Sequence, residues 1–449
     1  MTIARITTSE ATKAMAIFAG WGMDAHPFAS LHKDGYDIFV VYDYCQPEAN
    51  LGVFERYDEI CIIAWSWGVP AAAEFIKHNS GRLPISATIA VNGTLTPIDD
   101  TDGIPEAIFQ ATLDSLSETS LQKFYRRMCG SASSYRLFAE SLPQCDLASL
   151  REELQAIRDN GASHQSPLVF DRVIIGKSDL IIPTANQRHA WQGHPCISEA
   201  EWPHLPDFQC IIDLYIRDKA LIRHRFSSAV NTYPKEADVQ YHIATRLFEL
   251  WRSCDSSEHK DILELGAGCG FLTRHYINTP WCRSTTLVDL YAGTDGVEIG
   301  DAETYAIDGK KFDCIVSAST IQWFNSPRRF INRAADALPE GGMMVLSGFG
   351  DRHFHELDGL VPKSLFYYSV ADFAKLIPDR LQLVRAEEET ITIRFTSIRD
   401  MLDHLRLTGV NAVSSTQTVA ITRRIMSAMQ NLPSLTLTYN PTYFILKKI

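Results

Sequence analysis

The sequence predicts two successive α/β domains, each a parallel sheet with helices on its faces, and three observations carry that prediction. The chain has 449 residues, and at roughly 100 to 200 residues per domain this length predicts two or three domains and excludes one small module. Short apolar runs alternate with helix-length stretches in both halves, the pattern of parallel strands joined by crossover helices. Two strand-to-helix turns then stand out, Ala64-Trp65-Ser66-Trp67-Gly68 in the first half and Glu264-Leu265-Gly266-Ala267-Gly268-Cys269-Gly270 in the second. Each turn belongs to a different chemistry, and the boundary between them is set at 215/216.

Composition narrows the class. Hydrophobic residues make up 45% and charged residues 21% of the chain, near the globular average, which excludes disorder and fibrous repeats. The net charge of −12 is uneven: residues 1–215 hold 15 basic and 27 acidic side chains, and residues 216–449 hold 27 of each. Duplex nucleic acid is therefore excluded as a partner of the first half, because phosphate binding draws on clustered positive charge. The ten cysteines are scattered without a CxxC pair, so no metal site is expected and they read as buried thiols of a reducing compartment. No basic cap and apolar run opens the chain, and no stretch reaches the length of a membrane span. The expectation is a cytoplasmic protein that neither enters nor crosses a membrane.

In the first half, the runs 14–20, 36–44, 59–65, 85–91 and 169–175 are the expected strands. The stretch between the last two has helical spacing (Ile104, Ile108, Leu113, Leu116, Leu121, Phe124) and is expected to form a cap over about 98–166. Ser66 stands at the turn after the third strand, where a strained strand-to-helix elbow lifts a nucleophile clear of the sheet, and small neighbours are needed because strand and helix pass closely. A serine hydroxyl needs a base, and the base needs an orienting carboxylate. Asp179, in the turn Gly176-Lys177-Ser178-Asp179, supplies the carboxylate, and His204, in Trp202-Pro203-His204-Leu205, is the favoured base, with His189 and His194 as competitors. The tetrahedral oxyanion needs backbone donors set in advance. These are expected from the amide of Trp67, beside the serine, and that of Trp21, in the glycine-flanked loop after the first strand. Together the turn, the cap and the residue order Ser, Asp, His describe a short α/β-hydrolase.

Residues 1–215 resemble the BioG-type pimeloyl-[acyl-carrier-protein] methyl ester esterases of biotin synthesis. The resemblance rests on FAGWGMDAHPF (18–28), the Trp-Ser-Trp-Gly-Val elbow, FYRRMCG (124–130) and IIGKSDLIIP (174–183) in that order. It implies hydrolysis of a methyl ester at the far end of a pimeloyl chain held on acyl carrier protein, with Ser66, Asp179 and His204 as the triad. The carrier is acidic, and so is this half. From Thr119 to Ala139, however, Lys123, Arg126, Arg127 and Arg136 occur with no acidic residue among them. This island is the expected docking face, since complementary charge speeds encounter.

The second half begins with a helical pattern over about 217–251, followed by the strand-like runs 261–268, 285–290, 312–319 and 341–348. Two last runs, 389–395 and 434–449, read as antiparallel strands with a hairpin turn at Asn440-Pro441. The glycine turn of Glu264, Gly266, Gly268 and Gly270 lets a ligand approach backbone and helix N-terminus. Alone it is also compatible with a dinucleotide. Asp289, at the end of the next strand, can take both ribose hydroxyls, and Asp301 lies where methyltransferases contact the adenine amine. These two acids point to S-adenosylmethionine (S-adenosyl-L-methionine) and to a class I, Rossmann-like methyltransferase.

Residues 217–449 resemble the BioC-type malonyl-[acyl-carrier-protein] O-methyltransferases through KALIRHRFSSAVNTYPKEADVQ (219–240), the segment Ser317 to Trp323, and Leu405-Arg406-Leu407-Thr408-Gly409-Val410. The resemblance implies methylation of the free carboxylate of a malonyl thioester and adds Ser317 to the cofactor contacts. A carboxylate with a pKa of about 4 is already ionised at neutral pH, so no base is expected, only a group that orients it. Tyr233, Arg225 and Arg406 are the candidates. Two other readings remain open at this level: a generic esterase fused to a small-molecule carboxyl methyltransferase, and a non-catalytic carrier-binding module in place of the esterase.

Overall fold

In the computed structural model the apolar runs of the first half become the inner strands of a seven-stranded sheet. The structure describes residues 1–449 apart from 8–9, 46–50, 161–165, 256, 258–259, 308, 310–311, 359–364, 366, 409–426 and 428–434. The described chain divides into two units, Met1–Asp213 and Leu214–Ile449, and the division falls inside the helix Phe208–Tyr215.

The first unit contains β1 (Thr2–Arg5), β2 (Lys13–Phe18), β3 (Tyr36–Tyr42), β4 (Glu59–Trp65), β5 (Ile85–Val91), β6 (Arg172–Gly176) and β7 (Ile197–Ala200). Their order across the sheet is β1-β3-β2-β4-β5-β6-β7. Only β1 is antiparallel to its neighbour. The central strand β4 is buried along its whole length, as its unbroken apolar run requires of a parallel strand covered on both faces. The edge strands β1 and β7 went unpredicted; they are four residues each and mostly half-buried, so they lack the apolar run that marks the inner strands.

Four helices fill the interval between β5 and β6: Glu106–Asp114, Glu118–Cys129, Ala132–Phe138 and Leu147–Asn160. Ser117 opens the second through a reciprocal capping box with Ser120, and Gly130 closes it in the left-handed conformation, φ 68°. Leu150, Leu154 and Ile157 recur on one face of the fourth helix and join Trp21, Phe109, Leu113 and Leu116 in a small core. Burial of each such side chain contributes about 1.5–3 kcal/mol, so the cap is seated on the unit by apolar packing.

The second unit contains β8 (Lys260–Leu265), β9 (Cys282–Asp289), β10 (Val297–Ile299), β11 (Cys314–Ser317), β12 (Met343–Phe349), β13 (Leu381–Glu388), β14 (Ile391–Phe395), β15 (Leu435–Tyr439) and β16 (Pro441–Lys448). The main sheet runs β10-β9-β8-β11-β12-β16-β13. The first five strands in that order are parallel, and β16 is antiparallel to both neighbours. Sequence order reverses between β8 and β11, which opens a crevice at their carboxyl ends.

The expected hairpin at Asn440-Pro441 does not form. β15 pairs with β14 in a separate two-stranded sheet, while β16 inserts between β12 and β13. The intervening Asn440 is wholly buried; its amide side chain donates to Glu389 O (2.8 Å) and its carbonyl accepts from Gly350 N (2.7 Å). These bonds pass the chain from one sheet to the other instead of folding it back. Among the described residues no helix is long and apolar enough to cross a membrane.

Candidate active sites

In the first unit, β4 delivers Ser66 to its turn with φ 56°, in the left-handed region that side chains seldom occupy. The strain is held on both sides: Ser66 N donates to Val91 O (3.0 Å), and Val69 N, in the following helix, donates to Ser66 O (3.1 Å). The helix Gly68–Asn79 starts so close to β2 that a Cβ on Gly68 would run into the Phe18 carbonyl. That is the physical reason for glycine after the second tryptophan.

The structure brings Ser66, His204 and Asp179 together. His204 Nε2 lies 2.9 Å from Ser66 Oγ, and His204 Nδ1 lies 2.8 Å from Asp179 Oδ2. With Nδ1 donating to the carboxylate, Nε2 is left as the acceptor for the serine proton. Asp179 is saturated with donors: Oδ1 accepts from Ile181 N (2.7 Å) and Ile182 N (2.9 Å), and Oδ2 also accepts from Gln187 Nε2 (2.8 Å). His204 is 1% exposed. Its loop is pinned by Asn92, whose Nδ2 donates to Pro203 O (2.8 Å) and His204 O (2.9 Å), and by Trp65 Nε1, which donates to His204 O (2.7 Å). The competing histidines are engaged elsewhere: His194 bridges Phe170 O and Cys196 N, and the exposed His189 meets Asp102.

The backbone N–H groups of Trp21 and Trp67 have no acceptor among the described residues. Such donors are normally paired, and these two belong to the two segments that flank the serine hydroxyl. A chamber of about 750 Å³ opens beside Ser66 and His204, walled by Ile98, Ile104, Phe109, Leu154, Ile157 and Ile181. On the outside of the cap, Lys123, Arg126, Arg127 and Arg136 are all exposed, and none has an acidic partner among the described residues. Arg127 also lines the chamber and donates to Leu180 O (2.8 Å).

In the second unit a crevice of about 640 Å³ lies at the carboxyl ends of β8, β9 and β11, lined by Gly266, Gly268, Asp289, Asp301, Ser319 and Tyr233 among others. Asp289 Oδ2 accepts from Gly268 N (2.8 Å), which ties the acid to the glycine turn. Burial raises the Asp289 carboxyl from 3.8 to about 6. Gly266 has φ 76°, and a Cβ there would strike Thr320. Asp301 shares Lys219 Nζ (3.4 Å) with Glu303 (2.9 Å). Ser319, at φ 53°, places in the crevice a buried hydroxyl that has no partner among the described residues. An acid at a strand end, an open glycine turn and an unpaired hydroxyl fit the ribose and charged tail of a nucleoside-type cofactor.

Five of the expected contact residues lie elsewhere. Ser317 is wholly buried and its hydroxyl donates to Leu265 O (2.8 Å), bracing β11 against β8; the serine in the crevice is Ser319. Glu264 sits beneath the turn, accepts from Thr273 Oγ1 (2.7 Å) and Tyr276 OH (2.5 Å), and is pushed up to about 7 by burial. Gly270 closes the turn by donating to Ala267 O (2.8 Å) and does not line the crevice. Arg406 is exposed and paired with Asp403 (3.2 Å), and Arg225 does not line the crevice either. Tyr233 does. Of the third motif of this half, Gly409 and Val410 lie outside the described residues.

Sequence reasoning missed Gln187, Asn92 and Ser319. Asn92-Gly93 after β5 is a turn signal, and Asn92 has φ 43°, so that position was open to discovery. Nothing local marks the other two.

The sequence profile described as "Pimeloyl-ACP methyl esterase BioG" matches residues 4–210, and a general "Methyltransferase domain" profile matches residues 236–414. A malonyl-[acyl-carrier protein] O-methyltransferase of Bacteroides fragilis is 34% identical over 97% of this chain and 93% of its own length. One from Porphyromonas gingivalis is 32% identical over 51% of this chain and 96% of its own length. Among solved structures, BioG from Haemophilus influenzae is 29% identical, covers 45% of this chain and 94% of its own, with a TM-score of 0.41. The fold is thus an α/β-hydrolase-like unit followed by a class I methyltransferase, and the cofactor of the second unit is S-adenosylmethionine. Similarity along nearly its whole length makes the chain a member of the malonyl-[acyl-carrier protein] O-methyltransferase family, with a BioG-type domain as its first half.

Proposed function

We propose that this is a bifunctional cytoplasmic enzyme of biotin synthesis, acting twice on acyl groups held by acyl carrier protein. The second unit methylates the free carboxylate of a malonyl group. The first hydrolyses the methyl ester of the pimeloyl chain made from it, releasing methanol. The observation that carries the esterase reading is the Ser66–His204–Asp179 relay, with its 2.9 Å and 2.8 Å links, opening onto an apolar chamber.

In that reading His204 takes the Ser66 proton as Oγ bonds to the ester carbonyl carbon. The oxyanion faces the free amides of Trp21 and Trp67. Collapse breaks the bond to methoxide, which leaves as methanol with the proton from His204, and water repeats the sequence on the acyl-serine to release the acid. The chamber wall favours the apolar middle of a pimeloyl chain over a malonyl ester, which keeps the two activities from undoing each other. Carrier protein docks on Lys123, Arg126, Arg127 and Arg136, next to the exposed Leu137.

S-adenosylmethionine, when bound, supplies an electrophilic methyl group. Gly266, Gly268, Asp289, Asp301 and Ser319 would hold it. Beyond the crevice lies a smaller chamber of about 320 Å³ that shares Phe226, Tyr233, Ser319 and Trp323 with it and adds His353 and Tyr367. Burial holds the His353 imidazole well below its usual pKa, so this wall is neutral and aromatic. Here Tyr233 orients the carboxylate, and exclusion of water favours a reaction in which opposite charges cancel.

Mass spectrometry of malonyl- and pimeloyl-methyl-ester carrier protein tests both steps. With S-adenosylmethionine the malonyl carrier gains a methyl group in wild type and in Ser66→Ala alike. Only wild type removes the methyl from the pimeloyl ester. Demethylation by Ser66→Ala refutes the esterase assignment.

A further inference from the structure

Glu153 is a buried carboxyl that neither the relay nor the acyl chamber uses. It projects from the cap helix Leu147–Asn160 and is 6% exposed. Its two oxygens accept from two different loops at the carboxyl ends of the strands: Oε2 from Gly22 N (3.3 Å) and Oε1 from Tyr44 N (3.2 Å). Gly22 follows Trp21, the expected oxyanion donor. One turn earlier on the same helix, Leu150 O accepts from the Trp21 indole (3.0 Å), and Tyr125 of the second cap helix donates its hydroxyl to Gly22 O (3.2 Å). The oxyanion loop is therefore gripped from the cap at the Trp21 side chain and at both backbone polar groups of Gly22, directly after the Trp21 amide.

The other groups facing Glu153 are Asp43, Tyr44, Tyr125, Cys45 and Cys145, with Asp24 and Glu152 around them. No cation pairs with it among the described residues. Burial accordingly lifts its carboxyl from 4.5 to about 7. A helix tied down only for stability would do better with an apolar residue here, because an uncompensated buried charge destabilises. What does demand a carboxylate is the pair of opposed N–H donors. An ionised carboxyl accepts on both oxygens, whereas an amide or a protonated acid presents one acceptor oxygen and one donor.

We infer that Glu153 is a positioning residue of the esterase, holding the Gly22 backbone, and through it the Trp21 amide, where the oxyanion forms. The inference rests on the esterase reading above. It makes the cap, which also carries the carrier-docking cations, part of the oxyanion hole.

The test is ester hydrolysis by the full chain, wild type against Glu153→Gln, on the pimeloyl methyl ester of the carrier and on a small free ester. Misplacing one oxyanion donor should lower kcat by about 10- to 100-fold on both substrates, with KM changing by less than about threefold. In wild type, protonation of Glu153 below about pH 7 should lower kcat by the same factor, a step in log kcat that Glu153→Gln lacks. Hydrogen exchange at Gly22 should quicken. If Glu153→Gln does not fold, the Gly22 protection factor of wild type, which should fall below about pH 7 as Glu153 takes up its proton, and the milder Tyr125→Phe, expected to lower kcat in the same direction, decide the matter. An unchanged kcat, a loss confined to KM, or a Gly22 protection factor in wild type that does not change with pH overturns the inference and leaves the esterase standing. A wild type that hydrolyses no ester overturns both.

Discussion

Asp289→Asn is the sharpest single perturbation of the methyltransferase unit. Asp289 ends β9 at 9% exposure, and its Oδ2 accepts from Gly268 N at 2.8 Å. In the proposed role its carboxylate also takes the ribose hydroxyls. The amide keeps the size and one acceptor but loses the charge. It therefore weakens about two charge-assisted hydrogen bonds, each of about 1.5–3 kcal/mol. The expected loss is about 3–6 kcal/mol, or roughly 10²- to 10⁴-fold in Kd. Titration calorimetry of the full chain with S-adenosylhomocysteine at pH 8 measures it directly. The pH dependence gives a second arm. Because burial raises this carboxyl to about 6, wild-type affinity should fall as pH drops below that value, where a proton occupies an oxygen the ligand needs, and Asp289→Asn should lack this limb. The same shift cannot mimic the effect by unfolding. Between 3.8 and about 6 the folded acid holds a proton that the unfolded chain has released, so this group makes the fold more stable towards acid, not less. A variant Kd within about threefold of wild type would refute the reasoning.

Other outcomes follow from the same geometry. Lys123→Glu with Arg126→Glu, both exposed and outside the chamber wall, should reduce kcat/KM for carrier-bound ester by roughly 10- to 100-fold and flatten its salt dependence, with a small free ester hydrolysed at the wild-type rate; equal loss on both substrates would count against docking on the cap. Gly68→Ala forces a Cβ against the Phe18 carbonyl and should destabilise the first unit by about 3 kcal/mol, lowering its calorimetric midpoint by about 6–12 °C. A midpoint unchanged by calorimetry would show that the elbow can relax. Arg406→Ala should leave methyl transfer to malonyl carrier unchanged, since Arg406 points to solvent beside Asp403, whereas Tyr233→Phe should slow it.

The sequence by itself determined what depends on neighbours along the chain. Unbroken apolar runs such as EICIIAW and MMVLSGF can only be covered on both faces, so the inner strands of both sheets and their helical crossovers were legible. The two turns were legible because a strand that runs through small residues straight into a helix leaves a local pattern, although the contacts that exclude a Cβ at Gly68 and Gly266, with Phe18 and Thr320, lie far off in sequence. Tertiary structure decided everything that depends on a partner far along the chain. Glu153 meets Gly22 at a separation of 131 residues and Asn92 meets His204 at 112, and no local pattern in a glutamate or an asparagine encodes such a meeting. The same holds for Gln187 on Asp179, whose helix position looks like any other surface amide. Two residues of offset separate Ser317, spent on β8, from Ser319, which a left-handed turn sends into the crevice. At Asn440-Pro441 the local signal was read as a hairpin, and long-range pairing split the two strands between sheets. Periodicity and turn chemistry report which faces must be buried. Which surfaces bury each other is settled only when loops distant in sequence compete for the same hydrogen bonds.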